Sequence, residues 1–391
     1  MGPFFFEDTT PSVSTRISCF YGTEGTEEYH CTITPRSQEK FSSQLEIVET
    51  AYKKALSSLN LLPHSAIFRR FFCAKLYRNA PYLLTKNFSN PYAPDTPCAI
   101  SWIEQPLCTG GQIALWAYHI KDPSSSLKKK NEASSLILTR NSTTHYWSVG
   151  VIGSKGNTGD QTRTILEEYR SFLTRHHMRL RDNTIRTWFF IQNIDQQYQD
   201  FVRARKIFFC EEGLTEKSHF IASTGIEGSH ILPSTQVTMD AYSISGLLNN
   251  QISFLHAPAY LSPTHLYGVT FERAVSISYQ DRMHLIISGT ASINKKGKIL
   301  YPGNVARQLS RTLTNINALL REKNGALANV LLFIVYIRNQ EDSSTVEKKM
   351  HALFPKTPII TVLSRVCRPG WLVEIEAIAI IPATNPSFSP F

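Results

Sequence analysis

The sequence contains no CxxC pair, no apolar run near the ~20 residues a membrane-crossing helix needs, and no dense basic block. Its seven cysteines, Cys19, Cys31, Cys73, Cys98, Cys108, Cys210 and Cys367, are odd in number and scattered, which argues against a disulfide framework and a structural zinc site. The start, MGPFFFEDTT, has no basic residues ahead of its brief apolar stretch, so no export leader is expected and a reducing, cytoplasmic setting is. The one lysine run, LKKKNE at 127–132, follows DPSSS and reads as a solvated loop, not a nucleic-acid footprint. What remains is an ordinary globular composition, 42% hydrophobic and 18% charged, with enough chain for two or three compact units. The formal charge of +10 suits an anionic partner, either a carboxylated or phosphorylated small molecule or a nucleic acid.

Self-comparison is more informative. Near the C-terminus a strand (283–293) is followed by a helix (303–320) with Val305, Leu309, Leu313, Ile316 and Leu320 on one face, then a strand (330–339), a short helix (343–353) and a closing strand. The middle of the chain repeats this order with 144–154, 159–173, 185–193 and 236–244, and the N-terminal part with 15–23, 41–59, 68–79 and 111–120. The three central strands are expected to end alike, at Asn79, Asn193 and Asn339. This pattern predicts an α/β fold of three units, each a β-sheet covered by helices, about a pseudo-threefold axis. The expected boundaries are 1–122, a linker at 123–135, 136–246 and 247–391. One chain supplying three units is expected to act as a monomer.

The closing strands differ in one place. CRPGWLVEIEAIAII (367–381) reads as a strand, and its period of two puts Glu374 and Glu376 on one face with Leu372 and Ile378, opposite Trp371, Val373, Ile375 and Ala377. Where the third copy has Glu374, the others have Thr238 and Ala114. A carboxylate serving only to wet a sheet face would be tolerated in all three, so one specialised site in a pseudo-symmetric body is the economical reading. For Glu376 the sequence favours a place at the solvent edge, with like-charge repulsion on Glu374 as the alternative.

RTWFFIQNIDQQYQDFVRAR (186–205), ASTGI (222–226), APAYLSPTHLYGVTFERA (257–274), ISGTAS (287–292) and VCRPGWLVEIEA (366–377) together resemble the RidA/YjgF fold and, within it, the chorismatase family. The resemblance covers the middle and C-terminal copies; the N-terminal copy matches in pattern alone. It implies a cofactor-free, metal-free enzyme that cleaves the enolpyruvyl ether of chorismate to pyruvate and a dihydroxycyclohexadiene carboxylate or a hydroxybenzoate, in a pocket between copies two and three. It implies Glu374 as the acid, Arg273 and Arg205 on the substrate carboxylates, and Tyr198 and Tyr267 beside the substrate. Cys367 would be a wall residue of the kind found in the branch that forms 3-hydroxybenzoate. Arg203 competes with Arg205, because Ala204 stands where the family usually has Gly. Glu272, in FERA, should point away from the Arg273 side.

Two other readings remain. RidA-type deaminases place an arginine about fifteen residues before the equivalent glutamate, and here that position is Ile359. A noncatalytic ligand- or RNA-binding relative is permitted by the charge, although no interleaving of aromatic and basic residues suggests a stacking platform. No membrane partner is expected.

Overall fold

The computed structural model describes residues 3–85, 96–124, 126–153 and 155–391. The first unit runs through β1 (Phe4–Thr9), β2 (Val13–Tyr21), β3 (Glu27–Pro35), α1 (Phe41–Ser58), β4 (Ala66–Cys73), α2 (Leu76–Thr85), β5 (Ala99–Glu104) and β6 (Ile113–Lys121). The second comprises β7 (Lys128–Glu132), β8 (Ser135–Arg140), β9 (Thr143–Ile152), α3 (Thr158–Arg175), the short α4 (Leu180–Asn183), β10 (Thr184–Ile191), α5 (Ile194–Glu211), β11 (Ala222–Glu227) and β12 (Val237–Ser245). The third comprises β13 (Ile252–Leu255), β14 (Ala274–Ser278), β15 (Arg282–Ala291), α6 (Val305–Arg321), β16 (Val330–Ile337), α7 (Ser343–Leu353), β17 (Ile359–Leu363) and β18 (Val373–Pro382).

Each unit is one six-stranded mixed sheet, ordered β1-β2-β3-β6-β4-β5, β11-β10-β12-β9-β8-β7 and β13-β14-β15-β18-β16-β17. The closing strand lies between the strand that precedes the long helix and the strand that follows it. Ile113, Val237 and Val373 pair with Cys73, Ile191 and Ile337, so the three closing strands share one register. Ala114, Thr238 and Glu374 are therefore true counterparts.

The long helices cover one face of each sheet. In α6 the stripe Val305, Leu309, Leu313, Ile316 and Leu320 is buried and packs on β15 and β18, and the Asn304 side chain caps the helix by accepting from the Arg307 amide at 3.0 Å. The other sheet faces meet one another. β5 packs on β9, β11 on β15, and β17 on β3, so equivalent strands meet equivalent partners and the ring of three closes within one chain.

Several expectations need correction. The counterpart of β9 and β15 in the first unit is β3, not the strand at 15–23: β2 and β3 form one hairpin of similar apolar content, and only β3 leads into the long helix. β4 ends at Cys73 and Asn79 lies within α2, so only two central strands end near an asparagine. Within the expected linker, residues 128–132 form β7, paired to β8, and Lys129 Nζ donates to the Ala66 carbonyl at 2.7 Å. Lys128 and Lys130 face solvent from this edge strand while its backbone pairs, so composition alone resembles a loop.

Candidate active site

β18 carries both carboxylates into the region where units two and three meet. Glu374 and Glu376 are each 5% exposed, because the second face of this sheet is covered by its neighbours rather than by water. The solvent-edge reading of Glu376 is therefore wrong. Its carboxylate pairs with Arg186 of β10 and accepts from Trp188 Nε1 at 2.9 Å, Thr224 Oγ1 at 2.9 Å and Tyr336 OH at 2.6 Å. The same ladder position in unit two holds Asp240, which pairs with Arg70 of unit one at 2.8 Å. At this register an acid fastens one unit to the arginine of the preceding one.

Glu374, one step along the face, has a different environment. Burial, followed by the charge of Glu376, pushes its carboxyl up to about 8, while Arg186 and Arg273 pull in the other direction. At neutral pH it is mostly the neutral acid. It lines a small cavity of about 30 Å³, room for about two waters, with Tyr198, Arg205, Thr224, Phe271, Arg273 and Cys367 among its walls.

α5 supplies Arg205 and Tyr198 from unit two. The Arg205 guanidinium is buried, packs over the Phe201 ring at 4.7 Å and donates through Nε to Thr270 Oγ1 at 3.2 Å. No carboxylate among the described residues forms an ion pair with it. Arg203, two residues earlier on the helix, points outward to Asp200 at 2.5 Å, so helical geometry separates the two arginines. Tyr198 and Cys367 share a hydrogen bond. Burial and the nearby Cys367 hold the phenol well above its usual range, and burial followed by the Glu374 charge pushes the thiol up to about 12. Cys367 is therefore a neutral wall, not a thiolate nucleophile.

Arg273 enters from unit three, just ahead of β14. The preceding Glu272 pairs its backbone amide with the Ile221 carbonyl at 3.0 Å, and its carboxylate accepts from the Phe220 amide at 2.8 Å, so it faces away from the cavity as alternation predicts. Arg273 Nη2 donates to the Ser262 carbonyl at 3.0 Å. Its side chain borders both the inner cavity and an outer cleft of about 300 Å³ lined by His219, His256, Thr264 and Glu272. Tyr267 ends the short helix Thr264–Tyr267, and its side chain lies outside the described residues.

Sequence reasoning missed the support of this site. Gly289 lies against the Glu374 carboxyl, and its amide donates to Thr224 Oγ1 at 3.0 Å, which ties Glu374 to the Glu376 cluster. The glycine in ISGTAS was one visible signal, and Arg186 amid the apolar residues of β10 was another. Among the described residues no group of three or more His, Cys, Asp and Glu side chains could hold a metal ion. No described helix is long and apolar enough to cross a membrane.

The chain is similar to several known proteins. Residues 271–381 match the sequence model of the family described as Endoribonuclease L-PSP. A curated relative, 2-iminobutanoate/2-iminopropanoate deaminase of Bos taurus, is 31% identical over 139 residues, which cover 35% of this chain and 93% of that protein. A crystal structure of a chorismatase superposes with a TM-score of 0.60 at 19% identity, covering 81% of this chain and 93% of that one, so the likeness extends beyond one unit to the arrangement of all three. With the deaminase matched over nearly its whole length and the family pattern running through the Glu374 strand, the chain belongs to the RidA/YjgF family of endoribonuclease L-PSP proteins.

Proposed function

We propose that this protein is a chorismatase-like enzyme that cleaves the enolpyruvyl ether of chorismate, with Glu374 as the acid. The observation that carries this reading is a mostly neutral buried carboxyl, pushed up to about 8, in one cavity with Arg205 and Arg273. Enol ether cleavage begins when the terminal methylene carbon accepts a proton, which requires an acid that is still protonated near neutral pH. Glu374 gives up its proton and becomes a carboxylate beside the resulting oxocarbenium ion. A water adds to that cation and returns a proton to the Glu374 carboxylate, and the resulting hemiketal collapses to pyruvate and the ring alcohol.

The two carboxylates of chorismate suit two guanidinium groups, which bind such groups in bidentate fashion. A ring-sized substrate exceeds a cavity of about 30 Å³, so the walls must part for it to enter, and Arg273 stands on the border with the outer cleft. Cys367, Tyr198 and the apolar walls would keep bulk water from the cation. Incubating the pure protein with chorismate and following pyruvate tests the proposal, with no effect of a chelator expected. No pyruvate at high enzyme concentration would exclude it.

Imine deamination is the second reading, favoured by the identity to the bovine deaminase. The arginine expected for that chemistry is missing. Ile359 faces the gap between units three and one, and the strand position equivalent to it at the Glu374 cavity is Ser223. Release of a 2-ketoacid from 2-imino acids, without turnover of chorismate, would support deamination instead.

A further inference from the structure

The contact between units three and one repeats the one that holds Glu374. β17 meets β3 there as β11 meets β15, and the paired residues Val362 and Leu107 repeat the pairing of Ile226 with Val366. This seam holds an open cavity of about 520 Å³, within the range of sites that take small organic ligands.

Its cation is placed by register. Ala274 pairs with Ile287, which pairs with Ala377; in the first unit Ile17 pairs with Cys31, which pairs with Ala117. Ala117 and Ala377 each lie four residues into closing strands of common register, at Ile113 and Val373. Arg16, directly before Ile17, is therefore the counterpart of Arg273, directly before Ala274. It is 9% exposed and lines the cavity. Its Nη1 donates to His351 Nδ1 of α7 at 2.6 Å, while Nε and Nη2 reach Glu7 Oε1 only at 3.4 Å, long for a charge-assisted bond. Thr32, Thr34 and Thr361 add hydroxyls, and Arg36 stands exposed at the rim. The counterpart of Glu374 in this unit is Ala114.

We propose that the cavity between units three and one is a second ligand site, which holds a small carboxylate on Arg16 and does not turn it over. Arg16 supplies the charge that a carboxylate needs and the hydroxyls supply orientation. Ala114 carries no proton to transfer, so binding ends there. A carboxylate would replace the long contacts to Glu7 with shorter ones at little rearrangement, because Glu7 sits on the edge strand β1, where it can turn to solvent.

Calorimetric titration of the full chain with benzoate, and separately with inorganic phosphate, tests this. The Arg16→Met protein should lose one equivalent of benzoate, with affinity at that site falling roughly thirtyfold or more, while the Arg273→Ala protein keeps it. Thr361→Trp, which fills the cavity from β17, should remove the same equivalent and guards against a folding defect in Arg16→Met. Unchanged benzoate binding in both Arg16→Met and Thr361→Trp would overturn the proposal, as would an Arg16-dependent site that takes phosphate but not benzoate. A wild type that binds a single equivalent, lost in Arg16→Met, supports it whether or not the Glu374 cavity binds benzoate.

Discussion

The Glu374 carboxyl rests on the backbone of Gly289, so closely that a β-carbon there would overlap Oε1. A methyl group at this position has to displace the carboxyl or the neighbouring Thr224 methyl, which lies 3.1 Å from the same point. Gly289→Ala is expected to fold and to lose on the order of 10²-fold in pyruvate release, the usual scale for misplacing a reacting group by about 1 Å. Steady-state rates with a thermal melt check this. A full rate would mean that the carboxyl position is unimportant.

The proposed acid works only while protonated. With Glu374 pushed up to about 8, pyruvate release should be flat near neutrality and fall tenfold per pH unit above that value. A pH profile of kcat/KM reads this limb directly, and a limb near pH 5 would identify a different group.

Glu374→Gln keeps the shape and removes the proton, so turnover should drop about 10²–10⁴-fold. Stability should move the other way. The folded state holds its proton up to about 8 against an ordinary carboxyl value of 4.5, so the wild type loses stability as pH rises between those values. The glutamine protein does not, and its advantage should grow across that window to a few kcal/mol, about the scale set by the shift. Urea unfolding at pH 5 and pH 8.5 measures it; equal differences at both would show that Glu374 ionises freely.

Glu376→Gln should be chiefly a structural lesion. It leaves Arg186 buried without its carboxylate, at a cost of about 3–5 kcal/mol. In protein that still folds, the loss of a like charge and the unpaired charge of Arg186 both lower the Glu374 value, so the descending limb of the pH profile should shift to lower pH. An unshifted limb with normal stability would separate the two carboxylates.

Arg205→Ala should weaken benzoate-like inhibitors of the proposed site by roughly 2–5 kcal/mol, and Arg203→Ala should leave them unchanged, since only Arg205 faces the cavity. Inhibition constants for the two variants settle the choice. Equal effects would move the anion site elsewhere.

Much of the fold was legible because local rules imposed it. The 3.6-residue stripe of α6 and the alternation of β18 are properties of the chain itself, and comparing three segments revealed the repeat without any contact information. Alternation also put Glu374 and Glu376 on one face and turned Glu272 away from Arg273. The first unit was harder, because β2 and β3 have similar apolar content and only their connection to α1 tells which is the counterpart of β15.

What tertiary structure decided was the environment of the second sheet face. In a lone sheet that face would be wet, and Glu376 would sit at a solvent edge; the ring of three sheets buries it and sets Arg186, Trp188, Thr224 and Tyr336 around its carboxylate. The same closure leaves Glu374 buried in a small cavity beside a like charge, raises its proton affinity, and chooses Arg205 over Arg203 by the side of α5 that meets unit three. A linear pattern encodes which side chains share a face. Only the packing of three such faces against one another sets the dielectric and the partners that those side chains meet.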